Sequence, residues 1–247
     1  MNAKSRMPKC SDSFFSKEFS QLFSETPNLA PFDFRPSPII TEEGVAHDLA
    51  KIKRARDIYH WGSSISVRAF SVKMAYVYAA TFYRMRAEKG LDTATQIYTD
   101  KLFVHHAYSF FLLYFSYLDH LSQLLYIAFH LKADKPRDVS WGWVCRRLSA
   151  APKSSDLKNI IIEFHGKTEH YRNLRHDFAH NFHPAVPDHR PNYLEEGNEL
   201  EFPTANHTNI DSLNLMVGSM YDILLKFALR LGETIPVFLA EQRAVSP

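Results

Sequence analysis

Residues 169–183 concentrate side chains that transfer protons and bind anions near neutral pH. Imidazole titrates in this range, and the planar guanidinium group of arginine matches the oxygens of a phosphate. The segment holds four histidines, two arginines, two asparagines and an aspartate, among them His170, His176, His180, His183, Arg172, Arg175, Asn173 and Asp177. Groups that can donate, accept or titrate near neutral pH are typical of a functional face.

A single helix carries most of these groups. Apolar residues at three- and four-residue spacing predict a helix from about Asp156 to Phe182. The stripe consists of Leu157, Ile161, Phe164, Thr168, Tyr171, Leu174, Phe178 and Phe182. On an ideal helix His180 points roughly away from Tyr171, toward the same side as Asn173, His176 and His183, so that side is not the core of the helix's own bundle.

Arg175 and His180 are separated by about 140° around an ideal helix. One straight helix therefore cannot bring both side chains to the same phosphorus atom. Either the helix is distorted near these residues, or two protomers face each other and complete the site together. A two-fold axis through the His180 face would also bury that face.

Residues 175–180, Arg-His-Asp-Phe-Ala-His, resemble the Arg-x4-His motif of HEPN domains. These are small helical bundles found in prokaryotic ribonuclease toxins, abortive-infection proteins and CRISPR effectors. The resemblance covers roughly residues 95–232 and includes the position of the motif near the end of a long helix. His176 replaces the polar residue, often Asn, that commonly follows the Arg. The residues after His180 lack the Tyr that some HEPN toxins carry, so control by nucleotidyltransferase modification is not supported.

The resemblance implies a metal-independent endoribonuclease that needs no cofactor and acts as a homodimer. In such a reaction the RNA 2′-OH is the nucleophile, a base removes its proton, and a cation stabilises the charge on the phosphate. His180 fits the base and Arg175 the phosphate clamp, while His176 fits a second acid–base or phosphate-orienting group. The remaining candidates for substrate binding or for support of the site are Arg172, Asn173, Asp177, His183 and, on another helix, Asp119, which could hold Arg175.

Two other functions stay open at this point. His176 and His180 have the i, i+4 spacing that lets two imidazoles bind one metal ion, and His165, His170, His183, His189, Asp119 and His120 would be further ligands. No Glu-x-x-His pair recurs on two helices, however, and we predict no metal site. The second alternative is a catalytically silent HEPN-like module that binds RNA or protein.

The composition excludes several other classes. Of 247 residues, 45% are apolar and 23% charged, which excludes wholesale disorder. A net charge of +2 provides no global attraction to RNA, so RNA binding requires a local patch. Eight glycines favour helices over sheets, and two cysteines make neither a disulfide framework nor a zinc site. The first residues lack an apolar signal region, and His105, His106 and Asp119 interrupt the apolar stretch 102–131, so we expect a cytoplasmic protein with no membrane partner.

The remaining segments predict an all-α, up-down helical bundle in three parts. Residues 1–40 form a proline-containing leader, which is either a strap anchored by Phe32 and Phe34 or a partly disordered tail. Residues 41–92 form a helical pair that is interrupted at Gly62-Ser63-Ser64. Residues 93–247 form the HEPN-like bundle, with helices at about 93–132, 143–149, 156–182 and 209–230, and with a small β-hairpin inserted at about 190–204.

The resemblance also suggests a biological setting. HEPN ribonucleases occur in defence and toxin–antitoxin systems, so the expected partners are RNA, a second copy of the chain, and an antitoxin or regulatory protein. Neither a Walker loop nor a nucleotidyltransferase signature is present in the chain.

Overall fold

The structure, a computed structural model, describes residues 12–29, 49–88, 91–133, 135, 138–150, 155–180, 192–194, 199–201 and 210–245, and only the backbone of residues 12–13, 49–51, 173–180, 238–245 and of the two strands. Six helices account for most of this part of the chain. They are α1 (Asp12–Glu25), α2 (Leu49–Arg86), α3 (Thr93–Ala128), α4 (Trp141–Ala150), α5 (Asp156–His180) and α6 (Ile210–Val245). The predicted all-helical class is confirmed. Strands β1 (Asn192–Leu194) and β2 (Glu199–Glu201) pair antiparallel between α5 and α6.

The predicted break at residues 62–64 is wrong, because α2 is continuous through it. Gly62 is buried, and Ser66 Oγ donates an additional hydrogen bond to the Gly62 carbonyl oxygen at 3.1 Å. Glycine costs a helix interior about 1 kcal/mol relative to alanine. The helix persists because Ile65 and Ala69 bury their side chains in the core immediately afterwards. Packing thus outweighs the local preference to break.

Helix α3 is the centre of the bundle and contacts α2, α4, α5 and α6. Asp92 caps its first turn by accepting a hydrogen bond from the Thr95 N–H at 2.7 Å. Large aromatic side chains on α3 are fully buried, among them Phe103, Phe110, Phe111, Tyr114 and Tyr117. The predicted core half of this helix is confirmed, although the helix ends at Ala128 rather than near Lys132.

Helices α5 and α6 run antiparallel along each other. The rings of Phe164 and Phe227 stack with centroids 3.8 Å apart, and Tyr171 Oη lies 3.5 Å from Ser219 Oγ. Later residues of α5 therefore contact earlier residues of α6. The last turns of α5 consequently lie at the end of the bundle where α6 begins.

The N-terminal segment packs on α2 and α6. The Phe19 ring lies 4.8 Å from the Tyr78 ring, and Lys73 Nζ donates to Asn28 Oδ1 at 2.8 Å. Tyr221 on α6 donates its hydroxyl to the Pro27 carbonyl oxygen at 2.7 Å. Residues 26–29 thus follow the body, whereas the predicted anchors Phe32 and Phe34 lie outside the described residues.

One described helical stretch, Ile210–Val237, is long and apolar enough to cross a membrane by length and composition. This stretch contributes side chains to the core of the bundle, among them the fully buried Leu213, Met220 and Leu224. A core helix of a bundle meets the same criterion, so the stretch is weak support for a membrane span.

Candidate functional site

The Arg-x4-His motif occupies the last turns of α5. The backbone stays α-helical from Asp156 to His180, so position 175 falls about 40° from Tyr171 and position 180 on the opposite side. The helix distortion considered above is not present in this backbone. The side chains of Asn173, Arg175, His176, Asp177 and His180, and all of His183, lie outside the described residues. Their predicted roles therefore stay predictions.

An ionic network lies at the same end of the bundle as the motif. Arg86 of α2 pairs with Asp211 of α6 at 2.8 Å, and its Nε lies 3.0 Å from Asp100 of α3. Tyr83 adds a hydrogen bond to Asp211 at 3.1 Å. These contacts tie together the ends of α2, α3 and α6. The last turns of α5 lie at this same end of the bundle.

Arg172 is the one predicted site residue of the motif helix whose side chain is described, and it lies against α4. A Cβ atom at position 142 would be 2.6 Å from Nη2 and 2.8 Å from Nη1 of Arg172. The guanidinium group therefore occupies the space that the missing side chain of Gly142 leaves on the first turn of α4. An alanine at position 142 would therefore require the guanidinium group, which is the far end of a flexible side chain, to shift from this position.

Arg146 and His165 lie beside Arg172. Burial is the main reason for the lowered pKa of His165, and Arg172 lowers this pKa further, Glu169 raises it and Arg146 lowers it. The same two arginines oppose the effect of burial on Cys145, whose pKa burial raises to about 12. Two cations from two helices thus converge on one half-buried imidazole. Within the part of the chain that the structure describes, neither guanidinium group makes an ion pair or a hydrogen bond.

The outer surface of α4 combines cations with an aromatic ring. Arg147 lies over the Trp143 ring at 5.3 Å from its centroid, and the Tyr126 ring meets Trp143 edge-on at 6.2 Å. Arg146 and Arg147 are both exposed. Sequence reasoning missed Arg146 and Gly142, although an arginine four residues after a glycine on a short helix places both on one face.

Asp119 does not lie near position 175. Tyr114 of α3 and Tyr171 of α5 are neighbours, since burial chiefly and then the nearby Tyr171 raise the pKa of Tyr114. Helices α3 and α6 run in the same direction, because Arg86 pairs with both Asp100 and Asp211 near their first turns and Phe110 packs on Tyr221 further along both helices. Helix α5 is therefore antiparallel to α3. Asp119 lies beyond Tyr114 toward the C-terminal end of α3, and position 175 lies beyond Tyr171 toward the C-terminal end of α5. Because the two helices are antiparallel, these are opposite directions in the bundle. This geometry does not support Asp119 as the group that holds Arg175.

The histidines considered as metal ligands have other surroundings where they are described. His120 Nδ1 lies 2.8 Å from the Ser116 carbonyl oxygen, and its ring meets Trp61 edge-on. The His170 ring packs on Tyr171 at 3.7 Å. Among the described residues, no group of three or more His, Cys, Asp or Glu side chains is placed to hold a metal ion.

Comparison with known proteins identifies the family. No curated protein and no solved structure shows significant similarity to the chain. A family model described as HEPN_Cthe2314-like HEPN matches residues 61–229. The match begins inside α2, earlier than the motif-based estimate of about residue 95, so α2 from residue 61 onward belongs to the matched region. Because this match spans more than half of the sequence, the chain belongs to the HEPN_Cthe2314-like HEPN family.

Proposed function

We propose that this protein is a metal-independent endoribonuclease that acts as a homodimer. Family membership supports a HEPN-type nuclease or RNA-binding role, and the Arg-x4-His motif at the end of α5 is the observation that favours the nuclease. His180 acts as the base on the RNA 2′-OH. Arg175 stabilises the charge that develops on the phosphate, and His176 serves as the second proton-transfer or phosphate-orienting group.

The uninterrupted helix is the reason for the second protomer. With about 140° between positions 175 and 180, a regular helix directs the two side chains to different places. A two-fold symmetric dimer brings Arg175 of one protomer toward His180 of the other at a shared cleft. Asn173, Asp177 and His183 are close enough in sequence to position substrate in that cleft. In a cytoplasmic defence or toxin–antitoxin setting, an antitoxin or regulatory protein would control access to it.

The test is cleavage of mixed RNA by the purified protein in the presence of EDTA. We expect products with 2′,3′-cyclic phosphate ends, and about 10²-fold or greater loss of rate in Arg175→Ala and His180→Ala. His176→Ala should lose less activity than His180→Ala. His170→Ala is the matched control, because His170 is an exposed histidine on the same helix.

Melting temperatures separate a catalytic role from a structural one. Position 175 lies one turn after the buried Tyr171, so the stability of Arg175→Ala must be measured rather than assumed. Equal cleavage by wild type, Arg175→Ala and His180→Ala contradicts the nuclease assignment. RNA binding without cleavage favours the alternative, a catalytically silent HEPN module.

A further inference from the structure

We infer that Arg146 and Arg172 form a phosphate-binding position that holds a single RNA strand beside the motif helix. This inference rests on the proposed function for its RNA ligand, but it concerns Arg146 of α4 and Arg172 of α5 rather than the Arg-x4-His residues. The two guanidinium groups lie on neighbouring helices and act on the same imidazole, His165. Arg146 and Arg172 lie on adjacent helices, and neither forms an ion pair with another described residue, so together they provide a local positive patch, which the overall charge of +2 does not.

Arg172 has a defined position in the structure. Its guanidinium group lies against the backbone of Gly142, where any larger residue would displace it. It also lies on the first turn of α4, which is the positive end of that helix dipole, so the helix itself does not stabilise this cation. Among the described residues no carboxylate compensates for that placement by pairing with Arg172. An anion bound there would relieve the repulsion.

The patch leads toward the motif. Positions 165, 169, 172, 176 and 180 fall within about 80° of one another on one side of α5. Arg172 and position 180 are eight residues apart, or about 12 Å along the helix axis. An RNA backbone that contacts Arg146 and Arg172 can therefore run along this side of α5 and reach the motif with a neighbouring phosphate.

The aromatic group next to the patch favours a single strand. Trp143 is half-buried and follows Gly142 directly on α4, with Arg147 over its ring. Cations combined with aromatic rings are the usual surface for single-stranded nucleic acid, whose bases stack on the rings. One opposing charge is present, since Glu169 is close enough to raise the pKa of His165. Removing the negative charge of Glu169 should therefore strengthen RNA binding, whereas removing the arginines should weaken it.

The binding experiment uses a fluorescein-labelled, fully 2′-O-methylated single-stranded RNA of about 12 nucleotides, which lacks the nucleophile needed for cleavage. We expect Arg146→Gln/Arg172→Gln to weaken its affinity by about tenfold at low salt. The slope of log Kd against log salt should fall by about 0.7 for each phosphate that the variant no longer neutralises. Glu169→Gln should tighten binding, which a misfolded variant would not do. Gly142→Ala keeps every charge but displaces Arg172, and it should weaken binding less than the double variant.

Lys17→Gln/Arg68→Gln is the matched control. It removes the same charge from one exposed and one half-buried residue on α1 and α2. If the two double variants weaken binding equally, or if Arg146→Gln/Arg172→Gln leaves affinity and salt slope unchanged, the inference is wrong. Cleavage of unmodified RNA is measured in parallel. If Arg146→Gln/Arg172→Gln binds more weakly but wild type does not cleave RNA, this inference is supported and the nuclease assignment is contradicted. If wild type cleaves RNA but the two arginine substitutions do not change binding, the nuclease assignment is supported and this inference is contradicted.

Discussion

At the scale of single residues, the pKa of His165 depends on its burial and on the charges around it. Its ring is half-buried, its Nδ1 is buried without a hydrogen-bond partner among the described residues, and Arg172 and Arg146 are both close. Burial and positive neighbours both disfavour the imidazolium form. The folded protein therefore holds His165 neutral at a pH where the unfolded chain begins to protonate it.

The lowered pKa of His165 predicts a pH dependence of stability. Below the ordinary value of 6.5 the unfolded state takes up a proton that the folded state resists, so stability falls as the pH decreases through this value. Between about pH 7.5 and about pH 5.5, wild type should lose more of its free energy of unfolding than His165→Gln does. Urea denaturation at the two pH values measures this. His170→Gln, on the exposed side of the same helix, should behave like wild type. Parallel decreases in wild type and His165→Gln would show that His165 is not the group responsible.

At the scale of elements, α5 both packs against α6 and carries the Arg-x4-His motif. Its first half is held to α6 by the Phe164–Phe227 stack and by Glu163, which pairs with Arg230 at 2.7 Å. Its second half carries Arg172 and the motif. These two contacts lie about three turns before residue 175, and the Tyr171–Ser219 contact continues the packing of α5 on α6 to one turn before it. Weakening the first half should therefore affect stability before it affects the chemistry of the motif.

Glu163 supplies the prediction at this scale. Hydrogen bonds from Lys167 and then Arg230 lower its pKa from 4.5 to about 2. Its stabilising effect is complete above 4.5, and it is lost as the pH falls through about 2, where the folded state also protonates. Glu163→Gln should be less stable than wild type at neutral pH, with the difference shrinking below the ordinary value and with added salt. The urea midpoint provides the measurement. Glu233→Gln, an exposed carboxylate on α6, should show no such pH dependence.

At the scale of the whole molecule, the antiparallel arrangement of α5 and α6 determines which surface a second copy would meet. Tyr171 contacts Ser219, so one turn further along each helix position 175 lies level with Leu215. Leu215 is the most exposed large apolar residue among those described, at 72%. An exposed leucine alone is ordinary, but here it lies level with the motif for which we propose a partner protomer.

Dimerisation through this end of the bundle predicts an assembly phenotype. Light scattering of wild type at micromolar concentration should give about twice the chain mass of 28.6 kDa. Leu215→Arg should shift the protein to the monomer and remove RNA cleavage, because charge at a buried interface is costly. Val67→Arg is the matched control, since Val67 is 67% exposed on α2. A monomeric wild type, or a dimeric and active Leu215→Arg, would contradict the composite site.

Local features were predictable from the sequence because they depend on neighbours along the chain. The stripe from Leu157 to Tyr171 specifies α5 by its three- and four-residue spacing, and the angle between positions 175 and 180 follows from helix geometry alone. The motif in that helix led to the HEPN family, which the match to residues 61–229 confirms. The expected break at Gly62 failed because a local propensity of about 1 kcal/mol is smaller than the packing around Ile65 and Ala69.

By itself, then, the sequence determined the helical class, the element that carries the motif, and the need for something beyond one straight helix to assemble the site. Only the tertiary structure decided that Arg172 lies on Gly142 with Arg146 beside it, that Leu215 is level with position 175, and that Asp119 lies elsewhere. These arrangements depend on the direction and register with which helices pack. Register is set by side chains from distant parts of the chain interlocking at once, so no local pattern reports it.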